Sequence, residues 1–365
     1  MTTFKSPLQA FLHWENETPN NFFLKQNFKG ETLTFTFAEA GEEARKIATA
    51  LNNYNLPKKS HIALLSKNCA QWLLSDLAIM MSGHVSIPIY PTLNAESIKQ
   101  ILEHSESKAI IIGKLDNFSS QKYGITNIPK ISMDIYGGSE GDLWEDLLLK
   151  NEPLQDVYLP KPDDLHTIIY TSGTTGTPKG VMHTVNNFVE SVYTIKSALS
   201  LQEGSRFFSY LPLAHVAERV GIETYGLLLG SEISFPDSLE TFAHDLETCQ
   251  PQLFFAVPRI WAKFQEKILA KMPQKKLSIL LSIPVLNKII KNKLKEKLGL
   301  KHAKIIVSGA APLSADLMRW FQKIDITILQ VYGMTEDCII SHTNRPGLNK
   351  IGTVGKKLDG VQIKL

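Results

Sequence analysis

HIALLSKNCAQWLLSDLAIMMSGHVSIPIYP, residues 61–91, reads as strand, helix, strand. HIALLS is an apolar run of buried-strand length, CAQWLLSDLAIMMSG continues as a helix that Gly83 stops, and VSIPIYP is apolar again up to a proline. The unit repeats, because Asn94 is placed to cap a helix through ESIKQILEHSE and KAIIIG supplies a third apolar run. Strands separated by a helix-length crossover pair in parallel, with their connecting helices covering the sheet. The pattern therefore predicts an α/β fold of mostly parallel sheets flanked by helices.

Outward from this stretch the alternation continues. After a segment rich in Gly, Pro and Asp, LHTIIY (165–170) is a strand that leads into TSGTTGTPKG (171–180). Further strand-like runs occur at RFFSYLPL (206–213), SEISF (231–235), PQLFFAV (251–257), AKIIVS (303–308) and ITILQVY (326–332), with helical patterns near 261–271 and 314–323. These form a second α/β lobe. No solenoid-period repeat or low-complexity tract interrupts them.

With 365 residues, 43% hydrophobic and 21% charged, the chain has the composition of a globular protein large enough for two or three domains or one large α/β unit, which excludes disorder and fibre. A net charge of +3 is too even for a general nucleic-acid binder, and no nucleic-acid partner is expected. Cys69, Cys249 and Cys338 are odd in number and form no C-x-x-C pair, which fits a reducing compartment without disulfides or a zinc knuckle. The N-terminal MTTFKSPLQAFLHWENE lacks a signal-peptide core, and no window approaches the roughly 20 apolar residues that span a bilayer. A cytoplasmic protein, neither exported nor helix-anchored, is expected.

Polar and Gly-rich residues collect at strand ends, in TSGTTG, LPLAHVAER (211–219), SGAAPLS (308–314) and YGMTED (332–337). Ligands of open α/β sheets bind beyond the carboxyl ends of the strands, so one shared site is the economical expectation. The loop 171–180 suits phosphate. Gly173, Gly176 and Gly180 let the backbone take positive φ near an anion, the hydroxyls of Thr171, Ser172, Thr174 and Thr175 donate, and Lys179 adds charge. The P-loop pattern does not fit, since Pro178 stands five residues after Gly173 and Gly180 follows Lys179. A P-loop NTPase is therefore disfavoured, and a kinase or other phosphotransferase is kept only because phosphate loops recur across folds.

YTSGTTGTPKG resembles the signature loop of the adenylate-forming (AMP-binding) superfamily. VYGMTED resembles its second motif, which implies Tyr332 beside adenine, Thr335 at phosphate and Glu336 as the magnesium ligand, with Gly333 and Met334 beside nucleotide and acyl group. Mg²⁺ needs few carboxylates when phosphates supply the remaining oxygens. VSGAAPLS is similar to the adenine segment, and the resemblance carries over to Gly309, Ala310, Ala311 and Pro312, although a tight strand-to-helix turn selects the same small residues. LPLAHVAER implies substrate binding, not proton transfer, by His215. Lys179, Thr335 and Glu336 are then the catalytic set.

AHVAERV, VPRIWAKF and KNKLKEKLGLKHAKIIVSGAAPLS are most similar to long-chain fatty acyl-CoA synthetases. That implies ATP, Mg²⁺ and coenzyme A as cofactors or co-substrates and a long-chain fatty acid as substrate. The resemblance runs from about Thr34, in TFTFAEAGEEARKIATAL, to IGTVGKKLDGVQIKL. It implies a large AMP-binding domain of two packed lobes over 1–340, the start of a β-barrel over 341–365, and no C-terminal lid domain, hence a truncated form with little activity alone. A fatty acyl-AMP ligase serving a carrier protein, or a non-catalytic nucleotide- or acyl-binding module, are the alternatives. Residues 275–304 hold nine Lys and one Glu interleaved with LSILLSIPVLNKII. This segment reads either as a basic amphipathic surface for anionic lipid at the inner membrane face, or for coenzyme A phosphates, or as a merely solvated helix pair.

Overall fold

A computed structural model describes residues 3–171 and 178–364. The chain divides into two compact units, Met1–Val192 with Ser209–Phe235, and Tyr193–Phe208 with Pro236–Leu365. The chain thus leaves the first unit, returns to it for 27 residues and leaves again. Local periodicity carries no record of that interlacing.

The first unit contains a seven-stranded sheet in the order Asp142–Leu143, Lys130–Ser132, Ala109–Ile112, His61–Leu65, Val85–Ile89, Leu165–Thr171, Lys179–Thr184. The crossover pattern predicts parallel pairing for the four from Ala109–Ile112 to Leu165–Thr171, whereas Lys130–Ser132 and Asp142–Leu143 lie in the segment read only as rich in Gly, Pro and Asp; the first six all run parallel. The seventh does not: Lys179–Thr184 returns antiparallel along Leu165–Thr171, with Thr171 opposite Lys179. Only residues 172–178 separate KGVMHT from that strand, too few for the crossover that a parallel partner needs. Ala63, Leu65, Val85, Ile87, Ile89, Ile110, Ile112, Ile168 and Tyr170 pack on one face with Ile98, Ile101 and Leu102 of the helix Ala95–His104. Asn94 caps that helix, its side chain accepting from the Ser97 N–H at 2.9 Å. The helix Ala70–Met81 is buried along its whole length.

The N-terminal residues, silent in the strand pattern, form two strands of the same unit. Phe22–Phe28 pairs parallel with Glu232–Phe235 and antiparallel with Glu31–Thr36. Phe11, Phe23 and Phe37 stack beneath them with ring centroids 4.7 to 5.9 Å apart. The helix Phe37–Asn53 opens with a capping box between Thr36 and Glu39.

In the second unit Arg206–Phe208, Leu253–Phe255, Ile305–Ser308 and Leu329–Tyr332 run parallel. Phe254, Trp261, Phe264 and Phe321 form its aromatic core. RFFSYLPL is strand only over its first three residues: the Ser209 N–H still donates to the Ser234 carbonyl at 2.9 Å, but the Ser209 hydroxyl and the Leu211 carbonyl turn to side-chain partners. Residues 341–364 add two antiparallel strands, His342–Thr343 and Lys356–Lys357, and among the described residues they close no barrel.

Candidate nucleotide and acyl site

The phosphate-suited loop begins at the carboxyl end of Leu165–Thr171. Thr171, half-buried, is the last residue of that strand, and Lys179, exposed, opens the return strand across from it. Ser172, Gly173, Thr174, Thr175 and Gly176 lie outside the described residues. Gly180 corrects one expectation. It lies in a strand and is not among the glycines at positive φ; a Cβ there would stand 2.6 Å from Ile168 Cγ2 and 3.3 Å from the Tyr170 ring. Close strand packing, not anion approach, requires that glycine.

Also in the first unit, residues 209–219 are held from two sides. Asn68 donates to Ser209 Oγ at 2.9 Å and to the Leu211 carbonyl at 2.6 Å, and accepts from the Leu213 N–H at 3.1 Å. Glu218 Oε1 accepts from the Ser209 hydroxyl at 2.8 Å and the Tyr210 N–H at 2.9 Å. Complete burial pushes the Glu218 carboxyl up to about 8, against the pull of those donors. His215 lies at the end of this clamped segment, its Nδ1 accepting from the Ala217 N–H at 3.1 Å. Burial holds its pKa below the ordinary value. The ring therefore presents a neutral tautomer with the proton on Nε2.

Behind it stands a buried charge network. Arg219, wholly inaccessible, donates to Asp76 at 2.9 and 3.3 Å and to His166 Nε2 at 3.3 Å, and lies between the rings of Trp72 and Phe188. Burial would raise the Asp76 carboxyl, but the Arg219 guanidinium holds it below the usual carboxylate range. Burial, and then Arg219, push His166 down to about 3. Glu223, 3.3 Å from Arg219 Nε, is pushed well up by burial, so it carries the proton and Asp76 the charge.

In the second unit two expected segments meet. Ile305–Ser308 and Leu329–Tyr332 are adjacent and parallel, so the turns beyond their carboxyl ends lie side by side. Gly309 is buried and a Cβ there would stand 2.7 Å from Val331 Cγ2; Ala310 takes φ 64° and, with Ala311 and Pro312, is exposed. An L-residue held left-handed stores strain, and a small side chain limits it. Ser314 then caps the helix Ala315–Gln322. Tyr332, 48% exposed, ends its strand. A methyl on Gly333 would overlap the backbone of Ile339. Thr335 and Glu336 follow in a turn that Asp337 fastens by accepting from the Met334 N–H at 2.7 Å, and Cys338 and Ile339 close it at φ 50° and 62°. Met334 and Glu336 are exposed. Asp337 thus has a structural use in this turn.

AMP-binding enzymes match residues 11–365. The chain belongs to the AMP-binding enzyme family. Among relatives of this AMP-binding chain, the peroxisomal long chain acyl-CoA synthetase 6 of Arabidopsis thaliana is 29% identical over 92% of the chain and 52% of its own length. Fatty acyl-CoA synthetase A of Dictyostelium discoideum is also 29% identical, over 92% of the chain and 55% of its own. The chain spans about half the length of these curated relatives. A benzoate CoA ligase from Burkholderia xenovorans superposes with a TM-score of 0.78 at 20% identity, over 97% of this chain and 66% of that one, which shows the shared fold.

For an AMP-binding enzyme the donor set suits Mg²⁺ as a partner of phosphate. Glu336 is one exposed carboxylate beside the Thr335 hydroxyl, and among the described residues no group of three or more His, Cys, Asp or Glu is arranged to hold a metal. Mg²⁺ takes one or two carboxylates and completes its octahedron with phosphate and water. Asn68, Glu218 and the Asp76–Arg219–Glu223 network escaped the sequence reading. Asp76, the one charge in a helix otherwise apolar enough to be wholly buried, was the available signal.

Proposed function

We propose that the protein carrying this chain is an ATP-dependent long-chain fatty acid–CoA ligase. The observation that supports this reading is that relatives covering nine-tenths of the chain bear the names of long-chain or fatty acyl-CoA synthetases. The strand-end turns Ser308–Leu313 and Tyr332–Cys338 also have the bared backbone and exposed ring that a nucleotide needs.

In this reading a fatty carboxylate attacks the α-phosphorus of ATP, giving acyl-AMP and pyrophosphate, and the thiol of coenzyme A then displaces AMP. Lys179 and the hydroxyls of Thr171, Ser172, Thr174, Thr175 and Thr335 neutralise and orient the polyphosphate; Gly173 and Gly176 admit it close to the backbone. Tyr332 offers adenine a ring face, with Gly309, Ala310, Ala311, Pro312 and Gly333 allowing close approach on the nucleotide side. Mg²⁺, held by Glu336, supplies positive charge to the phosphates when bound. His215 donates from Nε2 toward the substrate carboxyl, and Met334 lies beside the acyl group. No side-chain nucleophile is required.

The full gene product should release pyrophosphate and AMP in step with palmitate, and acylate coenzyme A, with benzoate a far poorer substrate. Release of ADP, or pyrophosphate release indifferent to fatty acid, would refute the reading. Acyl-AMP accumulating without thioester in the presence of coenzyme A would transfer it to a carrier-protein ligase.

A further inference from the structure

We propose that the helical hairpin of Gln274–Ser282 and Pro284–Lys297 is a docking surface for an anionic lipid bilayer. Helix Pro284–Lys297 buries none of its residues and Gln274–Ser282 only Leu277, so little of their apolar content serves the core. Ile279, Ile283, Val285, Leu286 and Ile289 are 63, 42, 71, 36 and 55% exposed. Five large apolar side chains thus reach water within eleven residues around the turn. Val285, Leu286 and Ile289 share one helix face, and Ile279 lies one turn before the joint at Ile283.

Lysines border this stripe. Lys275 is four residues before Ile279, Lys288 three after Val285 and Lys293 four after Ile289. Lys291 is paired with Asp325 at 2.9 Å, Lys297 with Glu247 at 2.7 Å and Lys301 with Glu296 at 2.9 Å. Lys275, Lys276, Lys288, Lys293 and Lys295 have no acidic partner among the described residues. The hairpin is seated along one edge, where the Trp320 indole N–H donates to Gln274 Oε1 at 2.8 Å and a cleft of about 340 Å³ separates Leu281 and Asn287 from Ile324.

Charge complementarity selects the occupant. A second copy would set the same unpaired lysines against themselves across an isologous contact. A nucleic acid would neutralise the lysines and leave Val285 and Ile289 in water. An anionic bilayer receives both, the apolar side chains at the acyl boundary and the ammonium groups at the phosphates. The contact proposed is a peripheral one; no helix among the described residues is long and apolar enough to cross a membrane.

The 365-residue chain should co-sediment with phosphatidylglycerol–phosphatidylcholine vesicles at low salt, detach at high salt and ignore pure phosphatidylcholine. Replacing Lys275, Lys276, Lys288 and Lys293 by Gln should weaken the partition about fivefold per lysine. The triple substitution Val285→Ser, Leu286→Ser, Ile289→Ser should weaken it at constant charge, and both variants should keep the parent melting temperature because the altered side chains are exposed. Lys58→Gln with Lys161→Gln, in the first unit, should bind as the parent does. Absence of salt-sensitive sedimentation, or equal losses in the hairpin and control variants, would overturn the proposal. So would a lipid-free dimer that the triple serine variant abolishes, which would make the occupant a second copy.

Discussion

Glu218 is a carboxyl group that burial keeps protonated near neutral pH, with a folded pKa of about 8. Its ordinary value is near 4.5, so between those limits the folded state binds the proton that the unfolded chain has released. The stability it contributes is complete below about pH 4.5 and is lost as pH rises toward 8. Glu218→Gln copies the protonated acid and keeps an acceptor for Ser209 and Tyr210. Its melting temperature, relative to the parent, should rise steadily from pH 5 to pH 8.5; a constant difference would show that Glu218 is not the titrating group. Arg219 behaves oppositely. Arg219→Met leaves the Asp76 charge buried and unpaired, and should cost about 3–5 kcal/mol by denaturant titration, partly restored when Asp76→Leu is added. At Lys179 the expected effect is on activity: in the full gene product Lys179→Met should lower fatty-acid-dependent pyrophosphate release about a hundredfold with the melting temperature unchanged, since the side chain is exposed.

Among the elements, the segment Ser209–Leu213 depends most on one distant side chain. Asn68 makes three of its hydrogen bonds from beyond a strand end, 141 to 145 residues earlier in sequence. Asn68→Ala should cost about 1–3 kcal/mol for the buried groups left unpaired and speed hydrogen exchange at the Leu213 amide, while distant strands such as Ala109–Ile112 keep their protection. Protection lost everywhere alike would mean that the clamp is part of the global core. The helices and parallel strands of residues 61–112 were legible because their signals are local: Asn94 caps where it was expected, and Gly83 ends its helix at φ 75°. The antiparallel return at Lys179 was not, since KGVMHT is a six-residue strand with no clear apolar period of its own.

At the scale of the molecule, two units with separate cores arise from one chain that crosses between them. Such a protein gains stability from whatever binds only the folded state. MgATP at a hundredfold excess over its Kd should stabilise the chain by about 2.7 kcal/mol, visible as a rise in melting temperature, and Glu336→Ala should reduce that rise when Mg²⁺ is limiting. A melt unmoved by MgATP would count against the nucleotide site itself. Charge is equally uneven: nine lysines of a chain with net charge +3 lie within residues 275–304.

By itself the sequence determined the alternating α/β layers, the family and the turns at Gly309 and Gly333, because apolar period, capping chemistry and glycine are read over a few neighbouring residues. Only the tertiary structure decided that Gly180 spares Ile168, that Asn68 holds the segment leading to His215, and that Asp76, Arg219 and Glu223 share one buried proton and charge balance. Those facts are distances between residues far apart along the chain, and the energies of burial and pairing that set them exist only once the chain has folded.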